Sequence, residues 1–182
     1  MEVLFETERT FIRPILPQDA AGLFSMDSNP NVHRFVGNAP VKSLEDSERV
    51  IRILRQQYKD FGIGRWAMLE KATGDFIGWI GFKYMTETVN KHKNYHDFGY
   101  RLREEFWNQG YATEGAKGCL KYGTEGLKLK QIFAATHVDN VASRRVLEKC
   151  GFSLVEIFGY DAEAAWRTHN EPTTWYAFVQ QD

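Results

Sequence analysis

Cysteine is scarce in this sequence of 182 residues: Cys119 and Cys150 stand alone, without metal-ligand spacing or a disulfide framework around them. They read as reduced thiols of a cytoplasmic protein. No apolar run approaches the length of a membrane span, and the opening MEVLFETERT is acidic and mixed, unlike a secretory leader. An excess of one charge is missing too. With 23 Lys and Arg against 24 Asp and Glu, no large field draws the chain to nucleic acid or an acidic membrane. His33, His92, His137 and His169 lie far apart, which gives a metal site little support. A Gly-x-Ser-x-Gly elbow is absent, and neither cysteine has a convincing histidine partner, so a covalent intermediate is not indicated.

What remains is ordinary in bulk and specific in detail. Hydrophobic residues make up 43% and charged residues 26%, as in folded soluble proteins. There is no repeat, low-complexity tract or linker, so residues 1–182 read as a single domain. ERTFIRPIL is an edge or first strand ending at Pro14 and Pro17, and Asp19 is placed to cap a short helix, AAGLFSM. Pro30 to Pro40 reads as irregular. Ser43 to Asp46 starts like a capping box, and Leu44, Ile51, Leu54, Tyr58 and Phe61 follow on one helical face up to Gly62. RWAMLE and FIGWIGFKYM form a hairpin around Lys71 to Asp75.

Thr86 to Tyr95 is polar and reads as a loop. His96 to Leu102 is a strand, Ala112 to about Gly123 a helix, KQIFAATHV a strand, and NVASRRVLEKCGF a helix closed by a left-handed Gly151. FSLVEIF and TWYAFVQ are two more strands, separated by a polar loop around Asp161 to Pro172. The expected fold is α/β (α+β): a mixed, mostly antiparallel sheet of about seven strands with helices on both faces.

The stretch WNQGYATEG, Trp107 to Gly115, sets a bare turn where a strand meets a helix. A helix N-terminus leaves backbone N–H groups unpaired and receives phosphate well when no bulky side chain intervenes. Gly110 and Ala112 keep the turn bare, and Thr113 adds a hydroxyl. Small residues here are equally explained by close packing of the helix on the sheet. The turn lacks GxGxxG and the P-loop lysine.

With NVASRRVLEKCGF following about thirty residues later, WNQGYATEG resembles the paired signature of the GNAT superfamily of acetyl-CoA-dependent N-acetyltransferases. It is most similar to the RimJ/RimL-type, ribosomal-protein-alanine acetyltransferase branch. FIGWIGF, FGYRL and RTFIRPILPQDA extend the resemblance over most of the chain. Two departures stand out. Asn108 occupies a place where Gly is frequent, and Leu147 occupies that of a tyrosine which protonates the leaving thiolate in many relatives.

The resemblance implies that coenzyme A, as acetyl-CoA and without a metal, lays its pyrophosphate on the amides of Gln109, Gly110, Tyr111, Ala112 and Thr113. Its pantetheine arm would pair with the strand running through Leu102 and Arg103. Asn140 reads either as a cofactor contact or as the helix N-cap, and Ser143, one helical step on, as a cofactor contact that assists the departing sulfur. For the base, Asp97 ranks ahead of Glu87 and His96; strand alternation forbids Asp97 and His96 from facing one cleft. Phe35, Trp66, Phe82 and Tyr84 are the expected acceptor-binding residues; with Trp79 and Trp175 they serve equally as core aromatics. Trp79 and Phe82 differ in parity, so at most one of them should face the cleft. Arg144 and Arg145 stand either at the cofactor phosphates or on an exposed face.

The implied reaction is direct acetyl transfer to a primary amine, either a protein N-terminus or a small molecule. The alternative is a non-catalytic acyl-CoA sensor, favoured by Leu147. Neither nucleic acid nor a membrane is expected as partner, and both monomer and homodimer stay open.

Overall fold

The computed structural model describes residues 2–159 and 172–180. The polar loop after FSLVEIF, with His169, lies outside them. Eight strands form one sheet: β1 (Phe5–Glu6), β2 (Thr10–Pro14), β3 (Arg65–Glu70), β4 (Phe76–Met85), β5 (Tyr95–Leu102), β6 (Gln131–His137), β7 (Ser153–Gly159) and β8 (Pro172–Val179). Their order is β1-β2-β3-β4-β5-β6-β8-β7. Every neighbouring pair is antiparallel except β5 with β6. The mixed, mostly antiparallel sheet is as expected, with one strand more because the opening segment folds back as the β1–β2 hairpin.

Five helices cover the sheet: α1 (Ala20–Asp27), α2 (Pro30–His33), α3 (Leu44–Phe61), α4 (Tyr111–Lys121) and α5 (Val141–Lys149). Alternation along β3 shows how both faces are used. Ala67 and Leu69 join Ile15, Leu23, Met26 and Ile51 under α1 and α3, whereas Trp66 and Met68 join Ala116, Cys119, Leu120 and Leu147 under α4 and α5. α3 starts in the expected capping box: Ser43 Oγ accepts from the Asp46 N–H, and the Asp46 carboxylate accepts from the Ser43 N–H. It stops at a left-handed Gly62, as α5 stops at Gly151. Leu44 and Phe61, assigned to its buried face, lie at the fraying ends and are 42% and 44% exposed.

Two local expectations change, and one expected loop gains an anchor. Pro30 starts a one-turn helix, capped by the Asn29 side chain accepting from the Asn31 N–H. The polar 86–94 loop is pinned by His92, whose ring stacks on Trp175 at 5.2 Å and lies 4.6 Å from Phe133. Asp19 does not cap α1 with its side chain; it holds Arg13 in a buried ion pair at 2.7 Å. Among the described residues no helix is long and apolar enough to cross a membrane.

Candidate active site

The parallel seam positions the site. β5 and β6 are registered at one pair alone, Asp97 opposite Phe133. Beyond it lies a cleft of about 800 Å³, lined by Tyr100, Arg101 and Leu102 of β5, the start of α4, one side of α5, Asn31, Val32 and Arg34 to Val36. Tyr100 and Arg101 point to opposite sheet faces, so the cleft is wetted by both layers.

The Arg103 N–H donates to Ile77 O at 2.9 Å, toward β4. Main-chain groups of successive strand residues point to opposite sides. Arg101 and Gly99 therefore also face β4, and Tyr100 and Leu102 turn their amide groups to the β6 side. The Leu102 carbonyl accepts from Trp107 Nε1 at 2.9 Å, which fastens the turn to the strand end. The Tyr100 N–H and C=O and the Leu102 N–H are not taken up by the sheet. Arg103, expected in this role, is not brought to the cleft: its N–H serves β4 and its carbonyl accepts from Phe106 N–H.

The bare turn has two physical causes. Gly110 adopts φ +84°, and an added Cβ would touch only Arg9 Nη2, at 3.3 Å; the backbone, more than space, requires glycine here. Asn108 at φ +58° holds the other left-handed position, which asparagine tolerates. Gly115, one turn into α4, serves packing instead, since a Cβ there would come within 2.8 Å of Met68 Cε. Arg9 braces this corner: its Nε bonds Glu114 at 2.7 Å, its Nη1 bonds Gln109 O at 3.0 Å, and its guanidinium lies 4.1 Å from the Tyr111 ring centroid. Nothing in the sequence around Arg9 signals that role.

The N-terminus of α4 has no side-chain cap, whereas α3 and α5 do. Gly110, Tyr111, Ala112 and Thr113 all line the cleft, and the first-turn N–H groups of a helix have no intrahelical acceptor. Gln109 does not line it; its side chain turns back to Glu105 O at 2.6 Å. Four cations, Arg34, Arg101, Arg145 and Lys149, share the cleft with the one carboxylate of Glu104. Side-chain amides of Asn29 and Asn31 bond that carboxylate and hold its pKa below the usual range. The arrangement receives anions, and a phosphate on the α4 amides fits it. Of the paired arginines, Arg145 faces the cleft, and Arg144 bonds Val138 O at 3.1 Å and the Tyr176 hydroxyl at 3.2 Å.

Asn140 is the N-cap of α5, its side-chain oxygen accepting from the Ser143 N–H at 3.2 Å, and it also lines the cleft. The cap uses the oxygen, leaving the amide NH2 to donate. Ser143 also lines the cleft. Leu147 is 3% exposed and sits in the core.

The acceptor side departs most from expectation. Phe35 lines the cleft and stacks on His137 at 5.5 Å. Trp66 and Phe82 are packed in the core 5.9 Å apart, and Tyr84 leans on Phe61 and His96; none lines the cleft. Trp79 is absent from it too, lying between Arg65 and Arg101 at 5.4 and 5.3 Å. Among the proposed bases, Asp97 is ion-paired with Arg65, which also donates to the Asp97 carbonyl at 2.7 Å. His96 is half-buried, and burial pushes its pKa down. Neither of these two nor Glu87 lines the cleft. Among the described residues no three His, Cys, Asp or Glu side chains gather as a metal site requires.

One buried group behind the cleft escaped the sequence reading. Asp27 bonds Arg101 at 2.8 Å and lies 3.6 Å from His33 Nε2. Burial disfavours its ionised form, yet the nearby His33 and the charge and hydrogen bond of Arg101 prevail and hold the carboxyl below its usual range. A depressed folded pKa gives stability that is complete above the unfolded value of about 3.9 and lost as pH falls through the folded one. Asp27→Asn is therefore expected to melt below the parent at pH 5 and above. That margin shrinks below about pH 3.9, and a margin independent of pH down to acid unfolding would contradict this.

Known proteins resemble this chain in sequence and in fold. A model of the acetyltransferase (GNAT) domain matches residues 9–153. YoaA of Bacillus subtilis, described as an uncharacterised N-acetyltransferase, is 34% identical over 149 residues, 82% of each chain. FsC-acetyl coenzyme A-N(2)-transacetylase of Aspergillus fumigatus is 37% identical over 101 residues, 53% of this chain and 42% of that one. The solved structure of RimL, a ribosomal L7/L12 alpha-N-protein acetyltransferase in complex with coenzyme A, superposes with a TM-score of 0.80 at 16% identity, over 98% of both chains.

Proposed function

The chain belongs to the GNAT acetyltransferase family, and from that premise we propose that it carries acetyl from acetyl-CoA directly to the α-amine of a peptide or to a small amine of similar basicity. The observation that carries this reading is the uncapped mouth of α4, with Gly110 to Thr113 on the cleft beside the unpaired edge of β5. The α4 amides hold the diphosphate, with Arg145 and Lys149 adding charge. The Tyr100 and Leu102 amides pair with the pantetheine arm. Acetyl-CoA supplies an activated thioester: the amine nitrogen bonds to the acetyl carbon, the C–S bond breaks, and the proton shed by nitrogen ends on sulfur. Ser143, on the cleft wall, would serve the sulfur as a hydrogen-bond donor.

The state of the carboxylates favours an acceptor of low basicity. Asp97 is bound to Arg65 and Glu104 to two asparagines, so neither is poised to take a proton from a strongly basic amine. An α-amine, with a pKa of about 7.7–8.0, is partly neutral without help, whereas a lysine amine near about 10.4 is not. RimL is named for an α-N-protein acceptor and the Aspergillus enzyme for transfer to an N(2) nitrogen, so amines of more than one type belong in the test.

A second reading, a sensor that binds acyl-CoA without turnover, is favoured by the burial of Leu147 where a proton donor stands in many relatives. Release of free thiol from acetyl-CoA separates the two. Short peptides with free N-termini, N-blocked lysine peptides, free amino acids and polyamines form the panel. Thiol release at pH 8 with free N-termini, at least about tenfold faster than with blocked lysine peptides, is expected from the difference in neutral fraction. Binding of acetyl-CoA with no release across the panel supports the sensor instead.

A further inference from the structure

The two walls of the cleft differ in chemistry. The first turn of α4 and one side of α5 line it on one sheet face, where the cofactor is proposed to lie. Arg101 comes from the other face, the one under α1, and Arg34 and Phe35 follow from the segment after α2. Arg101 is held from two directions. Its Nη1 donates to the buried Asp27 at 2.8 Å, and its guanidinium lies 5.3 Å from the ring centroid of Trp79, the residue opposite on β4. The side chain is nevertheless 21% exposed, and among the described residues its Nε and Nη2 have no acceptor. Fastening α1 to the sheet accounts for Nη1 alone.

The neighbouring charges decide what the other two nitrogens take. Among the described residues Glu104 alone brings a carboxylate to the cleft, and the amides of Asn29 and Asn31 occupy it. Asp27 does not line the cleft. Arg34 adds a second, exposed cation, 5.1 Å from the Phe35 ring. Nε and Nη2 form one edge of a planar guanidinium, and such an edge matches a carboxylate with two parallel hydrogen bonds. We propose that Arg101 is the specificity-determining residue for the acceptor, binding a carboxylate that the acceptor carries close to its amine. That carboxylate belongs to a free amino acid or to an acidic side chain near a peptide N-terminus. Asp27 is the positioning residue that aims the guanidinium, and Arg34 at the rim draws the anion in.

The proposal rests on the acetyl-transfer reading, and the experiment separates the two. At saturating acetyl-CoA, kcat/KM is measured for peptides that differ only in Asp or Asn at the second residue. An amino acid is compared with its amide in the same way, each rate referred to the neutral amine. The parent is expected to favour the carboxylate of one pair by about tenfold or more, the worth of a charge-assisted hydrogen bond; which pair it is identifies the source. In Arg101→Gln the ratio is expected to fall to within about twofold of unity. Both members of a pair meet the same preparation, so a partly unfolded variant leaves the ratio readable. Asp27→Asn keeps the arginine and is expected to lower the ratio about threefold through KM; a ratio at the parent value returns Asp27 to stability alone. Equal rates for both members of each pair in the parent overturn the carboxylate role while acetyl transfer stands. So does a preference that survives Arg101→Gln, or a loss in that variant confined to CoA affinity by calorimetry. A parent protein that binds CoA and acetylates no amine overturns both.

Discussion

Gly110→Val is expected to weaken CoA binding by at least about 100-fold, while the protein keeps a cooperative melting transition. Two causes add. Valine at φ +84° is strained by about 1–3 kcal/mol, which the turn relieves by moving to negative φ. That shift swings the first amides of α4 away from their common focus. Each amide bond to a charged phosphate is worth about 1.5–3 kcal/mol, and loss of two gives the stated factor at about 1.4 kcal/mol per decade. The same argument predicts that Gly110→Asn, which tolerates the left-handed backbone, stays within about tenfold of the parent. Calorimetry with CoA reads both. Parent-like affinity for the valine variant would show that the mouth of α4 does not carry the diphosphate.

The largest expected loss of stability lies elsewhere. Asp19 receives both nitrogens of Arg13 and the Leu16 N–H, each at 2.7 Å, and both members of the ion pair are buried. Asp19→Ala leaves a buried guanidinium without its counter-charge, a defect that costs about 3–5 kcal/mol. For a chain of this length the melting temperature drops by roughly 10 °C. The paired change Arg13→Met with Asp19→Leu should recover most of it, because the desolvation of both charges is removed together. Failure of the pair to recover would mean that the Leu16 contact at the entry to α1, not the ion pair, dominates. Acetyl transfer by the folded fraction is not expected to change.

Residue type and spacing marked the α4 end of the cleft, where the cofactor is proposed to lie, because backbone chemistry restricts what stands there. A left-handed turn requires Gly110, and an open helix mouth requires small neighbours, so WNQGYATEG carries a legible pattern. The side expected to take the acceptor has no such restriction. Trp66 and Phe82 are large aromatics on strands, and nothing in their identity says whether α4 or a ligand covers them; the structure places them in the core. Arg103 was misplaced for a related reason. Which strand residues point their amides at β4 depends on register, and register is invisible until the Arg103 N–H is seen bonded to Ile77 O. Tyr100 follows from the same alternation once that one bond is known. The Asp27, His33 and Arg101 group joins a helix, a one-turn helix and a strand distant in sequence, so no local pattern could announce it.

The most direct measurement is the backbone amide spectrum of the 15N-labelled protein titrated with CoA. The largest shifts are expected at Gly110, Tyr111, Ala112 and Thr113, with Tyr100 and Leu102 next, and little change along β7. Saturable binding that leaves the four α4 amides unmoved, or no binding at millimolar CoA, would contradict the account.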